Sequence, residues 1–277
     1  MGNNFLDKII SELSSIGIDS LRLEARMIVS HVLGVDVDSY FSVDNLSAKQ
    51  LVEISGIISR RAKHEPLDKI LGLKGFYKHN FAVSCDVLSP RPDSEVLVEE
   101  AIKIASQNNF SSIIELGVGS GCLILSILDD IKTLKGTGID KSSAALKIAS
   151  LNAENLNLLN RVEFIEADYF ECEIKSKYDM IISNPPYIPS RDILDLDVDV
   201  KNYDPLMALD GGDDGFDHYK RIAEIAPSIL NSNGYVLIEA GINQAETIKT
   251  IFMEKDLKFI SFMKDLSGIE RCVIFKK

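Results

Sequence analysis

The chain has 277 residues, of which 45% are hydrophobic and 26% charged, values that describe a globular protein long enough for two domains and a sizeable core. A formal charge of −12 and a pI near 4.9 exclude a protein that tracks nucleic-acid phosphates over its whole surface. No apolar run reaches the ~20 residues of a membrane span. The N-terminus has neither the basic nor the apolar stretch of a signal peptide. Cys85, Cys122, Cys172 and Cys272 are dispersed, as are the four histidines, so neither a disulfide framework nor a metal site is expected, and a reducing cytoplasm fits.

Residues 1–70 read as helical. Phe5, Leu6, Ile9, Ile10 and Leu13 form one apolar face before Gly17, and Leu21, Leu23, Met27, Ile28, Val32 and Leu33 form a second, ending at Gly34. A third helix opens on Ser47-x-x-Gln50, a capping box, and carries Leu51, Ile54, Ile57 and Ile58. Short amphipathic helices need one another, so a small bundle is expected, suited to recognition or support because it lacks a catalytic constellation. Gly75-Phe-Tyr-Lys-His79-Asn80-Phe-Ala-Val83 has strand residues on both sides of His79-Asn80, which predicts a hairpin turning there. Asp93 or Ser94 is expected to cap the next helix, with Leu97, Val98, Ala101, Ile102 and Ala105 facing inward.

From residue 111 onward strands and helices alternate. Strands are predicted at 112–116, 135–140, 161–166, 178–183 and 234–240, and helices near 120–131, 142–157, 215–230 and 243–255. The pattern is that of a doubly wound, mostly parallel α/β sheet. Two last strands, 257–263 and 270–276, are joined by Asp265-Leu-Ser-Gly268 with no helix between them, so an antiparallel hairpin closes the sheet.

Two stretches of this half carry chemistry. In the first, Glu115-Leu-Gly117-Val118-Gly119-Ser120-Gly121 joins a strand to a helix. Its G-x-G-x-G spacing departs from the G-x-G-x-x-G of dinucleotide folds, which argues against a nicotinamide dehydrogenase. Asp140 ends the next strand, 23 positions after Gly117, where an acid accepts from ribose hydroxyls. Asp168-Tyr169 ends the third strand, where an acid can meet an adenine amino group and the tyrosine can flank the ring. Glu115 supplies an anion beside the loop. Acids without a phosphate-binding Lys or Arg point to S-adenosylmethionine, which is cationic at its sulfonium and ammonium and has no pyrophosphate.

The second stretch is Ser183-Asn184-Pro185-Pro186-Tyr187, which ends the fourth strand. A Pro-Pro pair offers carbonyl acceptors and no N–H donors, Asn184 adds a side-chain acceptor, and Tyr187 adds a flat face. Such a site grips a planar –NH2 group: its two N–H bonds go to Asn184 and the Pro185 carbonyl, and its lone pair is aimed at an electrophile by positioning alone. The glycine loop, Asp140, Asp168 and Asn184 would share one edge of the sheet. Between Arg191 and Asp217 lie nine aspartates, a stretch expected to be a largely solvated loop at the site's mouth that repels nucleic-acid backbones and attracts basic protein surfaces.

Taken together, these residues resemble the release-factor glutamine methyltransferases, the PrmC/HemK family of Class I methyltransferases. The resemblance runs through Arg61-x-x-His64-Glu-Pro-Leu, Pro90-Arg91-Pro92-Asp93-Ser94-Glu95, the 115–121 loop and Asn184-Pro-Pro-Tyr187. It continues through Tyr203-Asp-Pro205, Gly211-Gly212, Glu239-x-Gly241 and Asp265-x-x-Gly268-x-Glu-Arg271. It implies a Rossmann-like seven-stranded sheet at 91–277, an N-terminal helical domain at 1–72 that recognises the release factor, and a hairpin linker at 73–90. It further implies methylation at N5 of the glutamine in the Gly-Gly-Gln motif of release factors, with S-adenosylhomocysteine as product. Cofactor contacts are then expected from Glu115, Gly117, Val118, Gly119, Ser120, Gly121, Asp140, Asp168, Tyr169 and Asn184. Substrate contacts are expected from Asn184, Pro185, Pro186, Tyr187 and Arg91, with Asn184, Pro185 and Tyr187 as the catalytic set. The expected protein is a cytoplasmic monomer that binds neither nucleic acid nor membrane. A nucleic-acid amino methyltransferase, acting on adenine N6 or guanine N2, is the alternative, because those groups present the same –NH2. A catalytically silent cofactor-binding scaffold is a further one.

Overall fold

A computed structural model describes residues 4–14, 20–37 and 46–277. It divides into two compact units, Met1–Gly72 with Val198–Tyr203, and Leu73–Asp197 with Asp204–Lys277.

In the first unit, α1 (Asn4–Ser14), α2 (Leu21–Leu33), α3 (Ala48–Arg61) and α4 (Leu67–Leu71) enclose a core of Ile9, Leu13, Ala25, Ile28, Val29, Ile54, Ile57, Ile58 and Leu67. The capping box of α3 forms as expected, with Gln50 N–H donating to Ser47 Oγ and Ser47 N–H donating to Gln50 Oε1. Two apolar residues assigned to the buried faces, Leu23 and Leu51, are exposed. Ala25 and Val29, in register with Ile28, fill the stripe of α2 that Leu23 does not share. The Phe5 side chain and Gly17 lie outside the described residues. Helix α8 (Val198–Tyr203) belongs to this unit, where Arg61 holds both Glu24 and Asp199, at 3.0 and 3.1 Å. The acidic stretch is therefore not wholly a loop.

The second unit begins with a hairpin, β1 (Leu73–Phe76) and β2 (His79–Ala82). Phe76 pairs with His79, so the chain turns at Tyr77-Lys78 rather than at His79-Asn80. Tyr77 adopts a left-handed φ of 54°. Its N–H donates to Glu95 Oε1 and its hydroxyl to Asp130 Oδ2, contacts that hold a conformation unfavourable for a residue with a Cβ. The hairpin is no loose connector, since Phe76 and Phe81 sit in the main core beside Leu97, Leu123 and Leu125.

The remaining strands are β3 (Ser112–Leu116), β4 (Lys135–Asp140), β5 (Val162–Glu166), β6 (Tyr178–Ser183), β7 (Leu230–Glu239), β8 (Lys258–Lys264) and β9 (Glu270–Lys276). They form one seven-stranded sheet in the order β5-β4-β3-β6-β7-β9-β8. Pairing is parallel from β5 through β7, and β9 runs antiparallel to both neighbours. Helices α5 (Glu95–Asn108), α6 (Cys122–Asp130), α7 (Ser143–Asn155), α9 (Asp217–Ile229) and α10 (Ala245–Met253) cover its faces. The chain leaves β3 first toward β4 and later reaches β6 on the other side. The carboxyl ends of β3 and β6 therefore flank the reversal in strand order where open α/β sheets bind ligands. Among the described residues no helix is long and apolar enough to cross a membrane, and no cluster of His, Cys, Asp and Glu could hold a metal ion.

Candidate active site

A cleft opens at this reversal. Its lining includes Glu115, Gly117, Val118, Gly119, Ser120, Asp140, Asp168, Tyr169, Asn184, Pro186 and Arg91, which brings together most of the residues singled out in the sequence. Gly121, Pro185 and Tyr187 are not in the lining. Gly121 caps α6 with φ 79°, Pro185 is buried, and the half-buried Tyr187 packs on the core formed with Tyr219 and Ile238.

The glycine loop is built by short-range bonds. Gly117 and Val118 donate their N–H groups to Ile139 O at 2.9 and 3.0 Å, and Gly119 N–H donates to Asp140 Oδ2 at 2.9 Å. Asp140 Oδ1 accepts from Ser142 N–H at 2.9 Å, so this carboxylate joins the loop to the start of α7. Gly117 and Gly119 have φ of 77° and 51°, and a Cβ on either would meet nothing within 4 Å. Glycine is thus required there by backbone conformation, and the space beside each is open. Asn152 Nδ2 donates to Ser120 O and to Ala82 O, while its Oδ1 accepts from Ala82 N–H, so one buried amide fastens the loop to the hairpin. Asn152 gives no signal in the sequence, because it lies within α7 with no motif around it.

Glu115 is 2% exposed and accepts the Ile124 N–H at 3.1 Å, at the start of α6. Burial pushes its carboxyl well above the ordinary range, against the pull of that N–H. Burial therefore works against the anion expected at Glu115, and Asp140 and Asp168 carry the acidic character of the cleft. At the far wall the Tyr169 hydroxyl bonds His218 Nδ1, and His218 also lines the cleft. Burial, helped by the charge on Lys141, lowers the His218 pKa, so the imidazole is neutral at neutral pH. His218 sits among the aspartates in sequence, and only the fold reveals its ring against Tyr169.

Asn184 directly follows β6, and its Nδ2 donates to Ser94 Oγ at 3.4 Å. The cap expected from Asp93 or Ser94 does not form. Pro92–Ser94 make a 3-10 turn before α5 with no side-chain cap, Asp93 pairs with Arg271 at 3.2 Å, and the Ser94 hydroxyl turns to Asn184. Neither Asn184 Oδ1 nor the Pro185 carbonyl takes a hydrogen bond from any described residue. Beyond them, Gln244 Nε2 donates to Tyr187 O at 2.9 Å, and a Cβ on Gly211 would lie 2.8 Å from the Tyr187 backbone. The segment around Gly211 thus backs the Pro-Pro turn at a distance that only glycine allows.

The second part of the acidic stretch closes the cleft with Pro205, Met207 and Ala208. Asp204 there is buried, takes Arg91 Nη2 at 2.9 Å and accepts the Ser89 N–H at 3.4 Å. Several of these aspartates therefore hold structure: Asp210 accepts from Ser190 Oγ and Gly212 N–H, and Asp214 pairs with Lys220.

The residues present fit a cationic nucleoside ligand. The cleft joins an open glycine loop to the carboxylates of Asp140 and Asp168 at successive strand ends, a set suited to ribose hydroxyls, an amino group and positive charge. Asn184 lines the same cleft, and Pro185, the next residue, adds a carbonyl acceptor.

Comparison with known proteins agrees with this geometry. A family model described as methyltransferase small domain matches residues 92–197, and one described as PrmC N-terminal domain matches residues 4–72. The release factor glutamine methyltransferase of Geobacter sulfurreducens is 38% identical over 270 residues, covering 97% of this chain and 94% of that protein. Its namesake in Rhodospirillum rubrum is 36% identical over 274 residues, covering 98% and 84%. That of Caulobacter vibrioides is 36% identical over 267 residues, covering 95% and 91%. With relatives of 36–38% identity matched over nearly the whole chain and the N-terminal domain model matched as well, this chain belongs to the release factor glutamine methyltransferases.

Proposed function

We propose that the protein transfers a methyl group from S-adenosylmethionine to the side-chain amide nitrogen (N5) of the glutamine in the Gly-Gly-Gln motif of peptide chain release factors. When bound, the cofactor supplies an electrophilic methyl on a sulfonium. Asp140 and Asp168 would hold its ribose and adenine, the backbone of residues 117–120 would approach its amino-acid part, and Tyr169 would flank its base. Asn184 Oδ1 and the Pro185 carbonyl accept the two N–H bonds of the glutamine amide. With both N–H bonds fixed, the nitrogen lone pair is directed rather than delocalised, and no strong base is needed because one amide proton leaves to water. Pro186 would bound the amide, with Tyr187 supporting the turn from the core behind it, and Arg91, anchored on Asp204, also lines the cleft.

The observation that carries this reading is the pair of unengaged acceptors at Asn184 and Pro185 beside the acidic cleft. The release factor is the partner, met as a cytoplasmic monomer. The net charge of −12 favours a protein acceptor over a nucleic-acid one. Mass spectrometry of a release factor incubated with enzyme and S-adenosylmethionine tests it. A single added methyl on the peptide containing Gly-Gly-Gln is expected, and methyl found at another residue, or on RNA or DNA in the mixture, contradicts it.

A further inference from the structure

Glu239 ends β7 and is 2% exposed, and its Oε2 is buried without a hydrogen-bond partner among the described residues. Burying a carboxylate with an unsatisfied oxygen is costly, and it persists where it serves another group. The group beside it is the acceptor-binding amide. The ends of β6 and β7 are neighbours, since Ser183 pairs with Ile238, and burial with the charge on Asp93 raises the Glu239 carboxyl from 4.5 to about 7 against the pull of Ser94, Arg271 and Asn184. Ser94 Oγ in turn accepts from Asn184 Nδ2 at 3.4 Å.

An asparagine can present either its carbonyl or its –NH2 to a ligand, because the two orientations have nearly the same shape. Its neighbours decide which. Ionised Glu239 only accepts, so a Ser94 hydroxyl that donates to it keeps its lone pairs for Asn184. The Asn184 –NH2 is then held on the side of Ser94 and Glu239, and Oδ1 is the atom left for the cleft. We propose that Glu239 is a positioning residue for methyl transfer, acting with Ser94 to hold the Asn184 amide with its carbonyl oxygen toward the acceptor nitrogen. The proposal rests on the assignment of Asn184 to the glutamine amide.

The device is sensitive to pH. Arg271 and Cys272 face Glu239 from β9, Asp93 from the turn before α5, Tyr187 from the Pro-Pro segment, Tyr219 from α9 and Cys122 from α6. Burial pushes both tyrosines and both cysteines upward, so they stay neutral near pH 7, while Asp93 is paired with Arg271. Protonated Glu239 gains an O–H donor, the Ser94 hydroxyl reverses, and the Asn184 amide is free to turn its –NH2 to the cleft. Turnover then falls as pH drops through about 7.

The test compares wild type, Glu239→Gln, Glu239→Asp and Ser94→Ala for kcat and KM with a release factor, with S-adenosylhomocysteine affinity measured by calorimetry. Glu239→Gln is expected to lower kcat roughly 10–100-fold with cofactor affinity retained. Its residual rate should be flat in pH where the wild-type rate climbs to a plateau. Glu239→Asp, still only an acceptor when ionised, should recover part of kcat and restore the slope. Glu239→Gln at the wild-type rate and pH profile, or Gln and Asp variants equally slow, would overturn the role of Glu239. Should the Gln variant not fold, Ser94→Ala decides: a lower kcat at unchanged cofactor affinity supports the relay, and an unchanged kcat removes it. A wild-type enzyme that transfers nothing to a release factor would instead overturn the functional assignment, a separate outcome.

Discussion

The two walls of the cleft are built in different ways. The wall proposed for the cofactor is local: residues 117–119 bond to Ile139 and Asp140, the end of the adjacent strand. The acceptor wall is assembled from afar, for Asn184 meets Ser94, 90 positions away, and the Tyr187 backbone is held by Gln244, 57 positions away. Binding a nucleoside needs an open backbone and a few acids at strand ends, which a short motif can encode. Aiming one amide oxygen needs buried polar partners, and those come from wherever the fold brings them.

If the walls are separable, so are the effects of breaking them. The largest loss is expected from Asn184→Ala, which removes one of the two acceptors. Its kcat should fall on the order of 10²–10³-fold, the scale for removing a single positioned hydrogen bond at a reacting centre, while calorimetry finds cofactor affinity retained. Asp140→Ala should do the reverse. Losing charge-assisted bonds worth about 1.5–3 kcal/mol predicts a roughly 10–100-fold weaker cofactor and a smaller change in turnover once cofactor saturates. An Asp140 variant that keeps its affinity but loses kcat would merge the two walls.

Asn152→Ala probes the cofactor wall without touching the cleft. It orphans Ala82 N–H and Ser120 O, which at about 1–3 kcal/mol per unsatisfied group should lower the melting temperature by several degrees and loosen the loop. An unchanged melting temperature would show that the hairpin needs no such tie. The smallest effect concerns stability against pH. The Glu239 carboxyl is raised from 4.5 to about 7, so the folded protein binds more protons than the unfolded chain between those values. Stability from this group therefore falls as pH rises across that window. Glu239→Gln should flatten that slope in denaturant titrations, and an unaltered slope would mean that Glu239 does not titrate there.

How much of this the sequence discloses follows the same division. The strands at 112–116, 135–140, 178–183 and 270–276 appear where the apolar runs place them. Each run is bounded by glycine, proline or charged residues, and strong local patterns survive tertiary packing. The strand read at 234–240 instead starts at Leu230, where the chain pairs with Tyr178 before the irregularity at Asn233, whose φ is 65°. The turn at Tyr77-Lys78 was illegible because a left-handed tyrosine is held by Glu95 and Asp130, residues outside any local window. In the acidic stretch, charge masked shape: α8 and the turns at Ser190–Asp195 and Leu206–Ala208 hide among the aspartates, and Asp204 is buried on Arg91. In the site, Asn184 and Asp140 announce themselves through spacing at strand ends. Asn152, His218, Ser94 and Glu239 do not, because their roles exist only as contacts between distant segments.

Methylation of a release-factor glutamine at this site is measured by transfer of labelled methyl from S-adenosylmethionine. The acceptors would be a purified release factor, its Gly-Gly-Gln→Gly-Gly-Ala variant and a mixture of DNA and RNA. Label on the unaltered factor alone is the predicted result. Equal label on the alanine variant, or label on nucleic acid, would contradict it.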